Sequence, residues 1–397
     1  MVTILHSSKE DCLTDLWVKF FGRIYLNLYL KFITATIVTE GYSINSPGKV
    51  FGVTCEITNR SEGHRTKHVM KKIFLAIFAI GMLFAVGLSF VTPLYAQADE
   101  LGVKVMSYNI YRGGTMRRQP LSQTAKAIQE AKADVVGVQE TLSPKGDNAE
   151  KLAALLGWNL YVGRRHKCIM TRHEIADRLD GGIKIKMPSG QHAYIFTLHL
   201  ASNPYQPYQL LSIWPKWHKH RDTPFIKTEA EAIAAAKKTR GSEIATLLLQ
   251  IDSLPDKEAP VFVVGDFNEP SHLDWTNKAA ESDRHPIKVA YPTSLAITKA
   301  GFKDAWRTVY PDEMKNPGFT WSPMYKMNDP TTHHDRIDFV YFKGEGVEVI
   351  DTKIVGESKE NADIVVAPYP SDHRAVVASF TLPNQQNFEK ATTSGAK

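Results

Sequence analysis

Six polar sites, eight residues in all, stand where short apolar runs stop or start. Asn109 closes the run from Val103, Glu140 follows Asp134 to Gln139, and His199 closes Ala193 to His199. Asp266 and Asn268 follow Val261 to Val264, Asp338 sits in the triplet Arg336-Ile337-Asp338, and Asp372 and His373 precede Arg374 to Leu382. A strand end is a rigid mount that presents a polar group at a sheet edge, where solvent and substrate reach it. The residue types suit one task if they converge. Carboxylates with an asparagine, without cysteine and without a compact histidine motif, favour a hard, oxygen-liking ion such as magnesium or manganese. Two histidines beside them can neutralise or protonate a phosphate. Each position alone has a plainer reading. An aspartate at a strand end more often caps a turn, Asn109 can cap the turn Tyr111-Arg112-Gly113-Gly114, and His199 can be a satisfied core residue.

The elements that would hold these groups follow from periodicity and punctuation. Val103 to Asn109 and Asp134 to Gln139 are strands. Leu121 to Lys132 has helical spacing, and Asn148 to Leu156 is a helix stopped by Gly157. Short strands are expected at Leu160–Val162, Lys167–Met170, Gly182–Met187 and Ala193–His199, the last two joined by a turn at Ser189-Gly190. Ala201 to Thr223 is expected to be irregular, with Pro204, Pro207 and Pro215 in it. Lys227 to Ile251 has the composition of a long helix with a weak point at Gly241. Val261–Val264, Arg336–Phe342, Val347–Val355 and Arg374–Leu382 complete the strands. Ser271, with Asp274 three residues on, resembles a helix start. No repeat or linker divides 99–382. Helices interleave with strands, and some strand pairs lack an intervening helix, which predicts one α/β unit of mixed sheets covered by helices.

The 397-residue chain is 43% hydrophobic and 23% charged, a globular composition. Met70-Lys71-Lys72, an apolar run from Ile73 to about Phe90, and Ala96-Gln97-Ala98 have the form of a secretory signal peptide over 70–98. The alternative is an uncleaved anchor, since the run approaches the roughly 20 residues of a spanning helix. Residues 1–69 carry no sustained period or usable motif, so Met70 is the expected start and 1–69 a spurious or disordered upstream extension. Residues 1–98 hold 10 of the Lys and Arg and 6 of the Asp and Glu. The remaining 38 basic and 36 acidic residues leave +2 of the formal +6, and global charge gives no argument for a nucleic-acid partner. Cys12 and Cys55 also precede the signal, so the exported part keeps only Cys168, expected as a buried thiol, and cannot form an internal disulfide. A disordered tail is expected from Pro383.

The ordered series Ser107-Tyr108-Asn109-Ile110, Val138-Gln139-Glu140-Thr141, Thr197-Leu198-His199-Leu200, Gly265-Asp266-Phe267-Asn268, Arg336-Ile337-Asp338-Phe339 and Ser371-Asp372-His373 resembles the endonuclease/exonuclease/phosphatase superfamily over Val103 to Leu382. The resemblance, to a secreted bacterial-type member, implies a four-layer α/β sandwich, two mixed β-sheets packed face to face with helices outside. It implies a metal-dependent phosphoric ester hydrolase using Mg²⁺ or Mn²⁺. Glu140 would ligate the metal with Asn109 nearby and Asp372 completing or adjoining the shell. Asp266 would orient or deprotonate the attacking water and Asn268 help place the phosphate. His373, its tautomer held by Asp338, and His199 would contact the phosphate. Asp335 is a local rival to Asp338.

Softer positions remain. Arg112 would touch a substrate phosphate or be a solvated turn residue. Arg172 is structural, and His333-His334-Asp335 looks like a metal cluster but is expected to be exposed. Tyr205, Tyr208, Trp214 and Trp217, with Trp275, either pack the long loop onto the core or form a stacking wall for a ring. The favoured substrate is a small or sugar-like organic phosphate monoester or diester, with an extracellular nuclease or a sphingomyelinase-like phosphodiesterase as alternatives. No isolated apolar hairpin for bilayer contact is present. No protein partner is predicted, no stable anchor after signal cleavage, and the product would be secreted or periplasmic. Mass spectrometry of the native protein should find an N-terminus at Asp99 and no peptide from within 1–69; a peptide from that stretch removes the internal start.

Overall fold

Alternation along the strands builds the molecule, because successive side chains of a strand point to opposite faces. The computed structural model describes residues 102–214 and 224–383. The signal sequence, the upstream extension, Trp217 and the tail beyond Pro383 lie outside the described residues. In β1 (Gly102–Asn109), Val103 and Val105 face one core while Met106 and Tyr108 face another. β2 (Val135–Gln139) repeats the division, with Val135 inward and Val136 and Val138 outward. Each sheet is therefore apolar on both faces and must be covered twice.

Four further strands with the same register complete the frame of the site. They are β9 (His192–His199), β10 (Val261–Asp266), β12 (Asp338–Lys343) and β15 (Ala375–Thr381). The short hairpin β3–β4 (Leu142–Ser143, Gly146–Asp147) stands apart. One seven-stranded sheet runs β14-β13-β15-β1-β2-β6-β5, with β5 Asn159–Val162, β6 Cys168–Thr171, β13 Glu348–Gly356 and β14 Ile364–Val365. A six-stranded sheet runs β11-β12-β10-β9-β8-β7, with β7 Glu174–Leu179, β8 Gly182–Lys186 and β11 Lys303–Asp304. Both are mixed: β1 is parallel to β2 and antiparallel to β15, while β10 is parallel to β9 and antiparallel to β12.

The inner faces meet in one core, where Val105, Val135 and Val376 of the first sheet pack with Ile195, Val264 and Val340 of the second. Helices α1 (Leu121–Glu130) and α2 (Ala149–Leu156) cover the outer face of the first sheet. On the second lie α4 (Glu229–Asp252), through Ile244, Leu247 and Ile251, and α6 (Pro292–Lys299), through Ile297. The four-layer sandwich is thus present. Among the described residues no helix is long and apolar enough to cross a membrane.

Several local readings change. The stretch expected to be irregular contains α3 (Gln206–Leu211), because Pro207 falls in its first turn, where a missing N–H costs nothing. α4 runs unbroken through Gly241; one glycine costs about 1 kcal/mol relative to alanine, less than its buried apolar stripe returns. Ser271 starts no helix: its hydroxyl accepts from Leu273 N, and the next helix, α5 (Asn277–Glu281), is capped by Thr276. Arg172 pairs with Asp134 at 3.5 Å and lies over Trp158. Cys168 is fully buried, and burial pushes its thiol pKa upward.

Asp274 belongs to a buried ionic network instead of a cap. Arg336 donates to it through Nη2 (2.9 Å) and Nε (3.1 Å), Arg307 through Nε (2.6 Å), and Arg336 Nη1 also reaches Asp304 (3.0 Å). Asp304 is the N-cap of α7 (Ala305–Val309), so the network ties the chain after β10 to that helix and to the start of β12. Burial alone would raise the Asp274 pKa, but the two guanidinium groups outweigh it and hold it below the usual carboxylate range. A depressed folded-state value stabilises above the unfolded-state pKa, about 3.9, and that contribution is lost as pH falls through the folded value. Asp274→Asn should cost about 3–5 kcal/mol at neutral pH, measured by urea unfolding. The gap to wild type should narrow as the pH drops below about 4.

Candidate active site

The inward parity of the strands continues to their ends. Counting by twos along the inner face leads from Val105 to Asn109, from Ile195 to His199, from Val264 to Asp266 and from Val340 back to Asp338. The ladder sets His199, Asp266 and Asp338 directly beside one another on three adjacent strands. Asn109 is level with Gln139 on the facing sheet, and Glu140 follows at once. His373 enters just before β15, the other neighbour of β1. Residues up to 264 positions apart in the chain therefore share one crevice between the sheet edges.

Asn109 joins the two sheets. Its Nδ2 donates to Glu140 Oε1 (3.1 Å) and to Asp266 Oδ2 (3.0 Å), while its Oδ1 accepts from Tyr111 N (3.0 Å). Asn109 Nδ2 therefore clamps two carboxylates, while Oδ1, with one N–H against two lone pairs, keeps the capacity for the metal contact expected of it. Asn268 is similar: Nδ2 donates to Leu200 O and to Asp266 Oδ2, and its backbone N–H donates to Asp266 Oδ1 (2.8 Å). Asn268 thus orients Asp266 directly. Glu140 and Asn268 adopt positive φ, 60° and 48°, at the points where the chain leaves its strands. Such backbone strain collects at functional sites.

The structure seats Asp338, not Asp335, beside His373. Asp338 Oδ2 lies 2.9 Å from His373 Nδ1, which fixes Nδ1 as a donor and turns Nε2 toward Asp266 Oδ2, 3.8 Å away. Burial pulls the imidazole toward neutral, but the Asp338 and Asp266 carboxylates outweigh it and hold His373 protonated well above the ordinary histidine range. His199 Nε2 approaches the same Asp266 oxygen at 3.5 Å and Glu140 at 3.9 Å. Asp335 instead accepts from Tyr205 Oη and Trp275 Nε1.

The site fits a divalent ion. Asp372 Oδ1 is buried without a hydrogen-bond partner. Its carboxyl is pushed up to about 7, first by burial, with His373 opposing and Glu140 adding to the rise. The unpartnered oxygen of Asp372 stands in the same crevice as the Glu140 carboxylate, so the pair would suit a divalent cation. Asp266, Asp338 and His373 form a tighter donor group, but His373 and Asp338 are spent on each other, whereas Glu140 and Asp372 offer the oxygen-only donors that a hard ion prefers.

Other expected positions divide. Arg112 is exposed at the rim and its backbone N–H donates to Glu140 Oε2 (3.3 Å). Trp275 is fully buried, stacked on His285 at 4.2 Å, and presents no face to a substrate. Tyr205 and Tyr208 also pack into the core, and Trp214 stacks on Phe225. The tandem histidines are not exposed: His334 and Asp335 are buried and His333 is half-buried. Sequence reasoning missed Thr320 and Trp321. Thr320 Oγ1 accepts from the backbone N–H groups of Ile337 and Asp338, and the Trp321 ring packs against His373 at 4.8 Å. Neither adjoins a recognisable motif; the only signal was an apolar-aromatic Phe319-Thr320-Trp321 in a polar stretch.

The Endonuclease/Exonuclease/phosphatase family model matches residues 106–373, well over half of the chain and the whole span from β1 to His373. The chain belongs to that family and is a metal-dependent phosphoric ester hydrolase. It is 28% identical over 308 residues to an uncharacterized protein of Caenorhabditis elegans, covering 71% of this chain and 92% of that one. Similar solved structures include an endonuclease/exonuclease/phosphatase from Beutenbergia cavernae (16% identity, 71% of this chain and 72% of that one, TM-score 0.44). An AP endonuclease from Archaeoglobus fulgidus gives 14% identity, 70% and 98% coverage and a TM-score of 0.44. A humanized D. rerio TDP2 gives 17%, 71% and 99%, and 0.42.

Asp338→Asn should lower kcat on the order of 10²–10⁴-fold, by analogy with the loss when a histidine's buried carboxylate partner is neutralised. KM should change little. A drop carried by KM alone would place Asp338 outside the chemistry.

Proposed function

We propose that this chain is an exported, Mg²⁺-dependent hydrolase of organic phosphate monoesters or diesters, with small ones preferred. The observation that carries the reading is the shared oxygen of Asp266. It accepts from Asn109 and Asn268 and stands within 4 Å of both histidines. Asp266 accepts the proton of an attacking water. His373, positively charged and fixed by Asp338, offers Nε2–H to a phosphate oxygen, where charge grows in the transition state. His199, on the neighbouring strand end, faces the same space and supplies a proton to the leaving oxygen. Glu140 and Asp372 would hold the metal, which when bound stabilises charge on phosphate oxygen. In-line displacement without a covalent enzyme intermediate is the reading we favour: Ser371, the serine beside Asp372 and His373, is buried, its hydroxyl donating to Asn109 O and accepting from His373 N.

Export is supported by the Met70 to Ala98 pattern, and the small-substrate preference by the near-neutral charge of residues 99–397. Among the described residues the aromatic wall does not support it, because Tyr205, Tyr208 and Trp275 are core and Trp214 stacks on Phe225. A second reading, a nucleic-acid phosphodiester, is favoured by three exposed arginines on the turn after Asn109: Arg112, Arg117 and Arg118.

Nitrophenolate release should be measured on p-nitrophenyl phosphate and bis-p-nitrophenyl phosphate, phosphate release on sugar phosphates, and strand cleavage on single- and double-stranded DNA, with Mg²⁺ or EDTA. Activity should need Mg²⁺ and fall about 10³-fold in Asp266→Ala. Turnover confined to DNA and weakened steeply by salt would move the assignment to the second reading. Activity unchanged in the variant would end the assignment for that substrate.

A further inference from the structure

Away from the catalytic crevice, a second group of metal-type donors lies behind Trp321. We propose that His285, His333 and Asp335 form a structural site for a transition-metal ion of the zinc type. The three come from two distant stretches, His285 shortly after α5 and the other two just before β12. His333 and Asp335 are two residues apart, and Asp335 is in extended pairing with Trp321, so their side chains leave the same face.

The donor atoms have the separations such an ion requires. His285 Nδ1 and His333 Nε2 are 3.0 Å apart, His333 Nε2 and Asp335 Oδ1 3.8 Å, and all three atoms lie within 4.8 Å of one another. A tetrahedral zinc with ligands at about 2.0–2.1 Å has edges of about 3.3–3.4 Å. Two imidazoles with one carboxylate suit zinc and its neighbours, not magnesium.

The surroundings are those of a built site. The Trp275 ring lies flat on His285, 10° from parallel, and its Nε1 donates to Asp335 Oδ1 (2.9 Å). Tyr205 Oη donates to the other carboxylate oxygen (2.7 Å). Both ligand planes are therefore fixed from outside, the role outer partners play around metal ligands. Asp335 is buried, and its neighbours at hydrogen-bond distance are neutral donors; its one ion-pair contact among the described residues is His333. A cavity of about 10 Å³ beside His285 and Asp335 has room for a single water-sized fourth ligand. Arg284, Arg307 and Arg336 also line it, but Arg284 donates to the carbonyl oxygens of Glu313 and Met314, and Arg307 and Arg336 donate to Asp274. The ordinary alternative is a histidine–histidine hydrogen bond under a tryptophan. It accounts for the 3.0 Å contact but leaves unexplained why a buried carboxylate, whose one ion-pair contact among the described residues is His333, is aimed at the same point.

An ion there would brace the catalytic crevice. The backbone of Trp321 pairs with Asp335 on one side and with His373 on the other, so the site anchors the strand on which the catalytic histidine rests.

The test uses the full chain. After exposure to zinc and dialysis at neutral pH, elemental analysis should find about one tightly held zinc per chain, unaffected by Glu140→Gln. Co²⁺ in its place should give the intense visible absorption of four-coordinate cobalt. His285→Gln and His333→Gln should each abolish that band and weaken zinc binding by at least about 100-fold, the upper end of the cost of losing only an outer partner. No cobalt band in wild type, a band indifferent to His285→Gln, or zinc lost in Glu140→Gln would overturn the proposal. Should the histidine variants fail to fold, anomalous scattering at the zinc edge from wild-type crystals decides it by the presence or absence of a peak between the two rings.

Discussion

The catalytic edge depends on how closely the two sheets approach. A Cβ on Gly137 would stand 2.3 Å from Val264 Cγ2 and 2.8 Å from Thr197 Oγ1, so no side chain fits between β2 and the β9–β10 pair. Two residues on, Gln139 Nε2 donates across the gap to Thr197 Oγ1 (3.0 Å). At the rim, Asn109 donates across it to Asp266. The separation is thus set by glycine in the core, by a neutral hydrogen bond nearer the edge, and by a charge-assisted one at the edge itself. Only this spacing lets one carboxylate oxygen of the second sheet share a donor with Glu140 of the first. A wider gap would leave Asp266 buried without its partners, which is costly for a charged group.

That close approach also explains the uneven electrostatics of the site. The crevice is dry enough that burial is the first influence on both Asp372 and His373. It acts oppositely on their charges, favouring a neutral acid and a neutral imidazole. His373 nevertheless keeps its proton because Asp338 is a fixed partner at 2.9 Å. Asp372 has no such partner and rises. Burial raises the Asp338 carboxyl too, so the difference between the two acids is geometric: Asp338 lies against an imidazole, whereas Asp372 is open to a cation. A histidine so held can donate to phosphate without first being protonated by substrate binding.

Much of this was legible in the chain because strand alternation and strand ends are local signals. Asn109, His199, Asp266 and Asp338 all end or begin apolar runs, and parity alone sends them inward. What was illegible is equally physical. β7 is an exposed edge strand with little buried alternation to betray it. Trp275 lies near Asp266 in sequence, but a large ring in an α/β domain more often fills a gap between layers, here against His285 and Tyr291. Asn109 has the right type for a ligand, and its second task, holding two acids together through Nδ2, shows only in the directions of its amide hydrogens. Asp274 resembled a capping residue until Arg307 and Arg336, 33 and 62 positions away, proved to converge on it. Such distant pairings leave no trace in local spacing.

The same buried network bears on how the site stays rigid. Arg336 stands two residues before Asp338, and its guanidinium is shared by Asp274 and Asp304. The chain leaving Asp266 runs through Phe267, whose backbone N–H donates to Ile337 O (2.8 Å), to Glu269. Glu269 lies 3.6 Å from buried Arg240 on α4 and accepts from Thr293 in the first turn of α6. Both segments flanking the general base and the histidine's partner are thereby tied to the outer helices through charges rather than apolar packing. Apolar contacts tolerate small slides, whereas a forked guanidinium between two carboxylates fixes direction as well as distance. For a reaction that requires Asp266, His199 and His373 to keep separations of under 4 Å, directional anchoring of the loops accounts for why this family member buries so much charge beside its core.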